Sequence, residues 1–321
     1  MLYNQSVQKR KLGNEGLEVS AIGLGTMTMP DNQSSIAAIH GALDQGVTLF
    51  DTADLYGNEG FQQHRFGDNE KFLGKALKGR RDEAIIATKF GTTHGQGYKG
   101  DPAYIKKSVD ASLYSLGIDH IDLYYQHRYD PHTPIEETVG TLAELVKQGK
   151  IRYIGLSEVT VDIIRRAHSV HPITAVQTEY SLWSRDVEDE ILPVLKDLRI
   201  GLVPYSPLGR GFLTGNIKGA EDLSETYPHQ MFSRFQGDNF IKNVKAASLI
   251  KEIANRKGCT TAQLALAWLL AQGDQIVPIP GTKRLERIQE NFGALEVTLT
   301  KEDLAEIEHT TPKGAASGSR F

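Results

Sequence analysis

Short apolar runs of β character alternate with helical stretches eight times along this chain, and that rhythm restricts it to parallel βα units. The runs are Ser20–Gly25, Leu49–Asp51, Ala84–Lys89, Ile121–His127, Arg152–Ser157, Ala175–Thr178, Gly201–Tyr205 and Gln275–Pro280. Between them, Ile105, Val109, Leu113 and Leu116 recur at three- and four-residue steps, as do Ile135, Val139, Leu142 and Leu145, which is the spacing of a buried helix face. Gly117 and Gly149 stand where those helices should stop. Eight such units suit a closed (β/α)8 barrel better than an open doubly wound sheet. The 321 residues then form one domain, since such barrels run to about 250 residues or more. Within 1–321, about residues 1–19 read as a β-hairpin preceding the barrel, Asp303–His309 as an extra helix, and about 312–321 as a flexible tail. Gly215–Asn239 has little pattern and is expected to loop over the barrel mouth.

In a parallel α/β barrel the chemistry gathers at the C-terminal ends of the strands. Asp51, Tyr56, Lys89 and His127 all lie there, in FDTADLYG, ATKFG and LYYQHR. A phenol, an ammonium, a carboxylate and an imidazole on one rim suit protonation of a carbonyl oxygen while a cofactor delivers hydride. Tyr56 is the expected proton donor, and an adjacent ammonium favours its phenolate form. Lys89 is the expected source of that field, Asp51 its counter-ion, and His127 a hydrogen-bond donor that orients the substrate oxygen. Each residue alone has an ordinary structural reading; their occurrence together at successive strand ends does not.

Composition narrows the partners. A net charge of −4 gives no electrostatic reason to expect nucleic acid. The N-terminal MLYNQSVQKRKLG lacks the apolar core of a signal peptide, and Leu264–Leu270 is too short to span a bilayer, so a cytoplasmic protein with no membrane partner is expected. Cys259 is the one cysteine and reads as structural. Gly23 and Gly25 form a GxG without the third glycine of a dinucleotide fingerprint, because Thr28 holds that place. His127 and His132 flank a proline-containing turn rather than metal-ligand spacing, so no metal is expected. No pattern specifies an oligomeric state.

The segments FDTADLYG, ATKFG, YYQHR, GLSE, YSPLGRGFLTG and IPGTKRLERIQEN, in this order over nearly the whole chain, resemble the aldo-keto reductase superfamily. They are most similar to its plant and microbial branch carrying GLSE and EYSLWSRDVE. The resemblance implies a (β/α)8 TIM barrel, NADPH-dependent reduction of aldehydes or ketones, and the Asp51, Tyr56, Lys89, His127 tetrad. By the same resemblance Tyr205 would stack on the nicotinamide, Ser206, Leu208 and Arg210 would line the diphosphate within Tyr205–Gly211, and Pro207 and Gly209 belong to that loop. Ser157 and Gln177 match positions holding the carboxamide, Gly25, Thr26 and Met27 the cofactor-facing strip after the first strand, and Glu290 and Asn291 the adenine contacts. Where many relatives have asparagine this chain has Glu158, which lacks the amide donor. After the eighth run, Gly281, Thr282 and Lys283 lead into a helix bearing Arg287, and a helix N-terminus with two cations suits the extra phosphate of NADP.

Met29, Leu55, Phe90, Arg128, Tyr129, Tyr180 and Trp183 are the expected walls of a pocket for a small-molecule carbonyl substrate. The long Gly57–Asp68 loop after Tyr56 is expected to shape one side. An alternative class remains, because potassium-channel β-subunits share this barrel and much of the tetrad: a nucleotide-binding regulatory subunit with little turnover.

Overall fold

The computed structural model describes residues 8–57, 66–93, 95, 97–223 and 229–319. A two-stranded antiparallel hairpin, β1 (Lys9–Leu12) and β2 (Leu17–Ser20), comes first. Seven parallel strands follow in sequence order: β3 (Leu24–Gly25), β4 (Leu49–Asp51), β5 (Ile85–Phe90), β6 (Ile121–Gln126), β7 (Ile151–Ser157), β8 (Ala175–Glu179) and β9 (Gly201–Tyr205). An eighth segment, 275–281, closes the ring between β9 and β3. Val277 and Ile279 donate to Leu202 O and Pro204 O, while Pro278 and Pro280 carbonyls accept from Gly23 and Gly25. Pro278 and Pro280 have no N–H to return toward β3, so this segment contributes isolated bridges in place of the full strand expected at Gln275–Pro280. The barrel is thus a (β/α)8 TIM barrel whose last stave bonds β9 through residues 275, 277 and 279 and the β3 side through the carbonyls of Pro278 and Pro280.

Helices α1 (Gln33–Asp44), α2 (Asp68–Ala76), α3 (Pro102–Leu116), α4 (Ile135–Lys147), α5 (Val161–Val170) and α6 (Ile191–Leu198) connect successive strands. Two helices, α7 (Gly237–Arg256) and α8 (Thr261–Ala271), follow β9. Then α9 (Leu285–Phe292) follows the eighth segment, and α10 (Lys301–Thr310) comes last. The apolar spacing read from sequence is the buried face in α4, where Ile135, Val139, Leu142 and Leu145 are all covered. Gly117 caps α3 at φ 65°, a left-handed conformation that a side chain resists.

Strand parity divides the core. Leu49, Ala87, Leu123, Tyr125, Ala175, Val203, Val277 and Ile279 fill the barrel interior, closed at one end by Leu12, Leu17 and Val19 of the hairpin. Their neighbours Phe50, Ile86, Phe90, Tyr124, Ile154, Leu156, Val176, Leu202 and Ile276 pack outward against the helices. Tyr125 needs the room Gly155 leaves, since a Cβ there would come within 2.3 Å of its ring.

Three boundaries differ from the sequence reading. The run Ser20–Gly25 is split, because the Ser20 hydroxyl donates to Ile22 O and the chain bends before Leu24, so Ser20 ends the hairpin and only Leu24–Gly25 joins the barrel. The loop expected at Gly215–Asn239 ends earlier, at α7, and carries short 3-10 turns; residues 224–228 lie outside the described residues. The tail is docked. Ser317 N and O both bond the side chain of buried Asn243, and Ser319 N donates to Ser233 Oγ, which small polar residues permit but composition does not reveal.

Candidate active site

Continuing the inward parity of each strand upward leads from Leu49 to Asp51, from Ala87 to Lys89, from Tyr125 to His127, from Gly155 to Ser157, from Ala175 to Gln177 and from Val203 to Tyr205. The register aligns Asp51 with Ala87, Lys89 with Tyr125 and Ser157 with Gln177. These side chains therefore rise around the C-terminal mouth at staggered heights.

Lys89, fully buried, is the centre of the array. Its Nζ donates to Asp51 Oδ1 at 2.5 Å, to Thr52 O at 2.8 Å and to the Tyr56 hydroxyl at 3.3 Å. Because the ammonium fills the acceptor side of that hydroxyl, the phenol's own proton is left to point elsewhere. The His127 ring stands edge-on to Tyr56, with centroids 5.8 Å apart. Asp51 Oδ2 accepts from Gln177 Nε2 at 2.8 Å.

The electrostatics follow from burial. Desolvation pushes the Asp51 carboxyl up, against the pull of Lys89 and Gln177. Burial alone would depress Lys89, but Asp51 and Tyr56 outweigh it and hold the ammonium above its ordinary value. Burial also raises the Tyr56 phenol, and the opposing field of Lys89 does not overcome it, so the net lowering expected from sequence is not what the closed barrel produces. Burial, then Lys89 and Arg128, hold His127 well below the usual imidazole range, so it is neutral at pH 7 and one ring nitrogen carries a donor.

The loops expected to hold a cofactor lie beside this array. After β9, Ser206, Gly209, Arg210 and Gly211 all have left-handed backbone, at φ 48°, 56°, 56° and 102°, and the Gly209 and Gly211 N–H groups close tight turns onto Ser206 O and Leu208 O. Tyr205 is half-buried at the end of β9, opposite Glu179. The N-terminus of α9 has no side-chain cap, Thr282 Oγ1 instead accepts from Arg284 N, and Lys283 and Arg284 are exposed next to it. Gly25 and Gly281 bridge directly, and Gly281 has the Gly25 carbonyl 3.4 Å from where a Cβ would sit. The small residues after β9, and the uncapped start of α9 with its exposed cations, fit a dinucleotide with an additional phosphate.

Several expected contacts are otherwise engaged. Gln177 binds Asp51; Arg210 pairs with Glu179 at 3.2 Å and stacks 3.7 Å over Phe232; Glu290 pairs with Arg287; Asn291 is buried. Glu158, in left-handed backbone, accepts from Thr178 Oγ1 and Glu179 N. Ser157 Oγ lies 3.4 Å from Arg128, whose guanidinium also donates to His127 O at 2.7 Å. Thr26 is buried and Met27 half-buried, on the strip after β3.

Three of the expected pocket walls are not walls. Phe90 has outward parity and stacks on Tyr124 at 4.9 Å; Met29 is fully buried in the same outer layer; Tyr180 packs on Trp268 and donates to Glu188 Oε1 at 2.8 Å. Leu55, Arg128 and Tyr129 stay half-exposed near the tetrad, and Trp183 lines a cleft with Glu179, Gly209, Arg210 and Phe212. Most of the Gly57–Asp68 loop, 58–65, lies outside the described residues. Sequence reasoning passed over Thr52 and Asn69; Thr52 adjoins Asp51, but Asn69 lies among Asp68, Glu70 and Lys71, where a buried amide has no local signal. Among the described residues no group of His, Cys, Asp and Glu is arranged to hold a metal, and no helix is long and apolar enough to cross a membrane.

Comparison with known proteins accords with this geometry. The model of the aldo/keto reductase family matches residues 21–311. A probable aldo-keto reductase of Glycine max is 46% identical, with 98% of this chain and 92% of that protein covered. A glycerol dehydrogenase from Gluconobacter oxydans superposes with a TM-score of 0.84 at 27% identity, covering 95% of each chain. An aldo-keto reductase from Klebsiella pneumoniae, solved in complex with NADPH, gives 0.75 at 28% identity over 96% of each. The chain belongs to the aldo/keto reductase family, and with it to the NAD(P)-dependent oxidoreductases that act on carbonyl groups.

Proposed function

We propose that this protein reduces aldehydes or ketones to alcohols with NADPH, Tyr56 giving the proton. The observation that carries the reading is the hydrogen-bonded chain from buried Asp51 and Lys89 to half-buried Tyr56, with His127 edge-on to the phenol. NADPH supplies the hydride. Lys89 donates to the phenol oxygen, so the phenolic proton is directed to the substrate oxygen and the phenolate left behind sits against an ammonium. That product-side stabilisation matters because burial makes the phenol a weak acid at rest. Neutral His127 donates a second hydrogen bond to the substrate oxygen and fixes its approach.

The small-residue Ser206–Gly211 loop at the barrel mouth leaves room for a diphosphate, and Lys283 and Arg287 at the start of α9 support the additional phosphate of NADP. The complex of the Klebsiella pneumoniae relative with NADPH favours the same cofactor. Tyr205, Ser157 and Gln177 border the nicotinamide end, and Leu55, Tyr129 and Trp183 suit an aliphatic or aromatic carbonyl compound. The protein acts as a cytoplasmic enzyme. The test is NADPH oxidation over a panel of aldehydes, ketones and quinones, for wild type and Tyr56→Phe. Turnover that Tyr56→Phe abolishes while NADPH still binds is the expected result. Tight NADPH binding with no turnover on any carbonyl would favour a regulatory subunit instead.

A further inference from the structure

Asn69 lies in the first turn of α2, is fully buried, and takes no part in capping its own helix, whose cap position is Gly67. All four hydrogen-bonding positions of its amide are directed at the barrel top. Oδ1 lies 2.8 Å from the Thr26 hydroxyl and 2.7 Å from the Thr52 hydroxyl. Nδ2 donates to Thr26 O at 3.0 Å and to Met29 O at 3.4 Å. Its backbone N–H donates to Tyr56 O at 3.1 Å.

Three of these partners, Thr52, Thr26 and Tyr56, belong to or directly bond the tetrad. Thr52 follows Asp51 and its carbonyl accepts from Lys89 Nζ; Thr26 N donates to Asp51 O; Tyr56 carries the proton. The next residue, Glu70, equally buried, accepts from the hydroxyl of Thr88 beside Lys89 at 2.7 Å. We propose that Asn69 is a positioning residue, which locks the loops after β3 and β4 to the start of α2 and so sets the Lys89–Tyr56 geometry for proton transfer. An apolar residue of the same size would leave two hydroxyls and two carbonyls to find other partners.

This inference rests on the reading of Tyr56 as proton donor, and the experiment separates the two. Asn69→Ala and the volume-conserving Thr52→Val are assayed beside Ser20→Ala, which removes buried hydrogen bonds at the hairpin end. Asn69→Ala is expected to lower kcat by roughly ten- to a hundredfold while the carbonyl KM changes little, since small misplacements cost about that much. Thr52→Val should show a smaller loss, and the double variant no more than Asn69→Ala alone. Ser20→Ala should lower Tm with kcat unchanged. Should Asn69→Ala not fold, Thr52→Val carries the test by itself. A kcat within about twofold of wild type in the foldable variants, or additive losses, overturns the proposal. If wild type itself reduces no carbonyl, the proposed function fails first. The ring resonance of Tyr56 in isotope-labelled protein, assigned with Tyr56→Phe, then reads the positioning: it moves in Thr52→Val and Asn69→Ala, or the inference is wrong.

Discussion

Lys89→Met is the perturbation that most directly tests the buried charge array. It removes three donated bonds, to Asp51, Thr52 O and Tyr56, and leaves Asp51, only 4% exposed, with Gln177 as its remaining partner. Breaking a buried pair by deleting one member costs about 3–5 kcal/mol, because the survivor is an uncompensated charge. For 321 residues the unfolding entropy is about 0.7 kcal/mol/K, from roughly 2.1 cal/mol/K per residue, so Tm should fall by about 4–7 °C. Asp51→Asn combined with Lys89→Met removes both charges and keeps an oxygen for Gln177. It should recover most of the loss, giving a coupling of about 2–4 kcal/mol.

The pH dependence has a definite sign. In Lys89→Met the Asp51 carboxyl, already raised by burial above its ordinary 3.8, loses the cation that opposed the rise. A carboxyl raised in the folded state destabilises above its folded value and ceases to do so below its unfolded one. The Tm gap between Lys89→Met and the double variant should therefore be widest at neutral pH and close as pH falls toward about 4. Thermal unfolding of wild type, Lys89→Met, Asp51→Asn and the double variant across that range is the assay. Additive losses, or a gap independent of pH, would refute the argument that an uncompensated Asp51 is the source of the cost.

Tyr56→Phe should lower carbonyl turnover by about 10²–10⁴-fold with NADPH affinity kept; full activity would remove Tyr56 as proton donor. Neutral replacement of Lys283 and Arg287 should weaken NADPH about tenfold or more relative to NADH, measured as dissociation constants for both; equal loss would place the phosphate elsewhere. Glu70, raised by burial, contributes stability below its unfolded value that is lost as pH rises, so Glu70→Gln should raise Tm at neutral pH and match wild type in acid. A lower Tm at neutral pH would contradict that sign. His127 is depressed, so the unfolded chain takes up a proton near pH 6.5 that the folded one refuses, and acid should cost stability below about 6.5. His127→Gln should flatten that slope in acid unfolding curves; an unchanged slope would assign it to other groups.

Much of this site was legible without coordinates because strand parity is local. Asp51, Lys89, Ser157, Gln177 and Tyr205 are strand residues whose two-residue alternation with apolar neighbours already puts them on the inner face. The eighth stave was less legible, because Pro278 and Pro280 remove the ladder donors that define a strand. Phe90 was misplaced by its adjacency to Lys89, although the same alternation turns it outward. Met29 and Tyr180 are loop residues, where no periodicity says which way a side chain faces.

By itself the sequence determined the number of βα units, the rim on which the chemistry sits and the residue types available there, since these depend on periodicity within a few residues. Only the tertiary structure decided how those residues are paired and charged. Closure of the ring brings Gln177 onto Asp51 across 126 positions of chain, draws the Asn69 amide to Thr26 and Thr52, and docks the tail on Asn243. It also desolvates Tyr56, where that outweighs the opposing charge of Lys89, and His127, where it adds to the effect of Lys89 and Arg128.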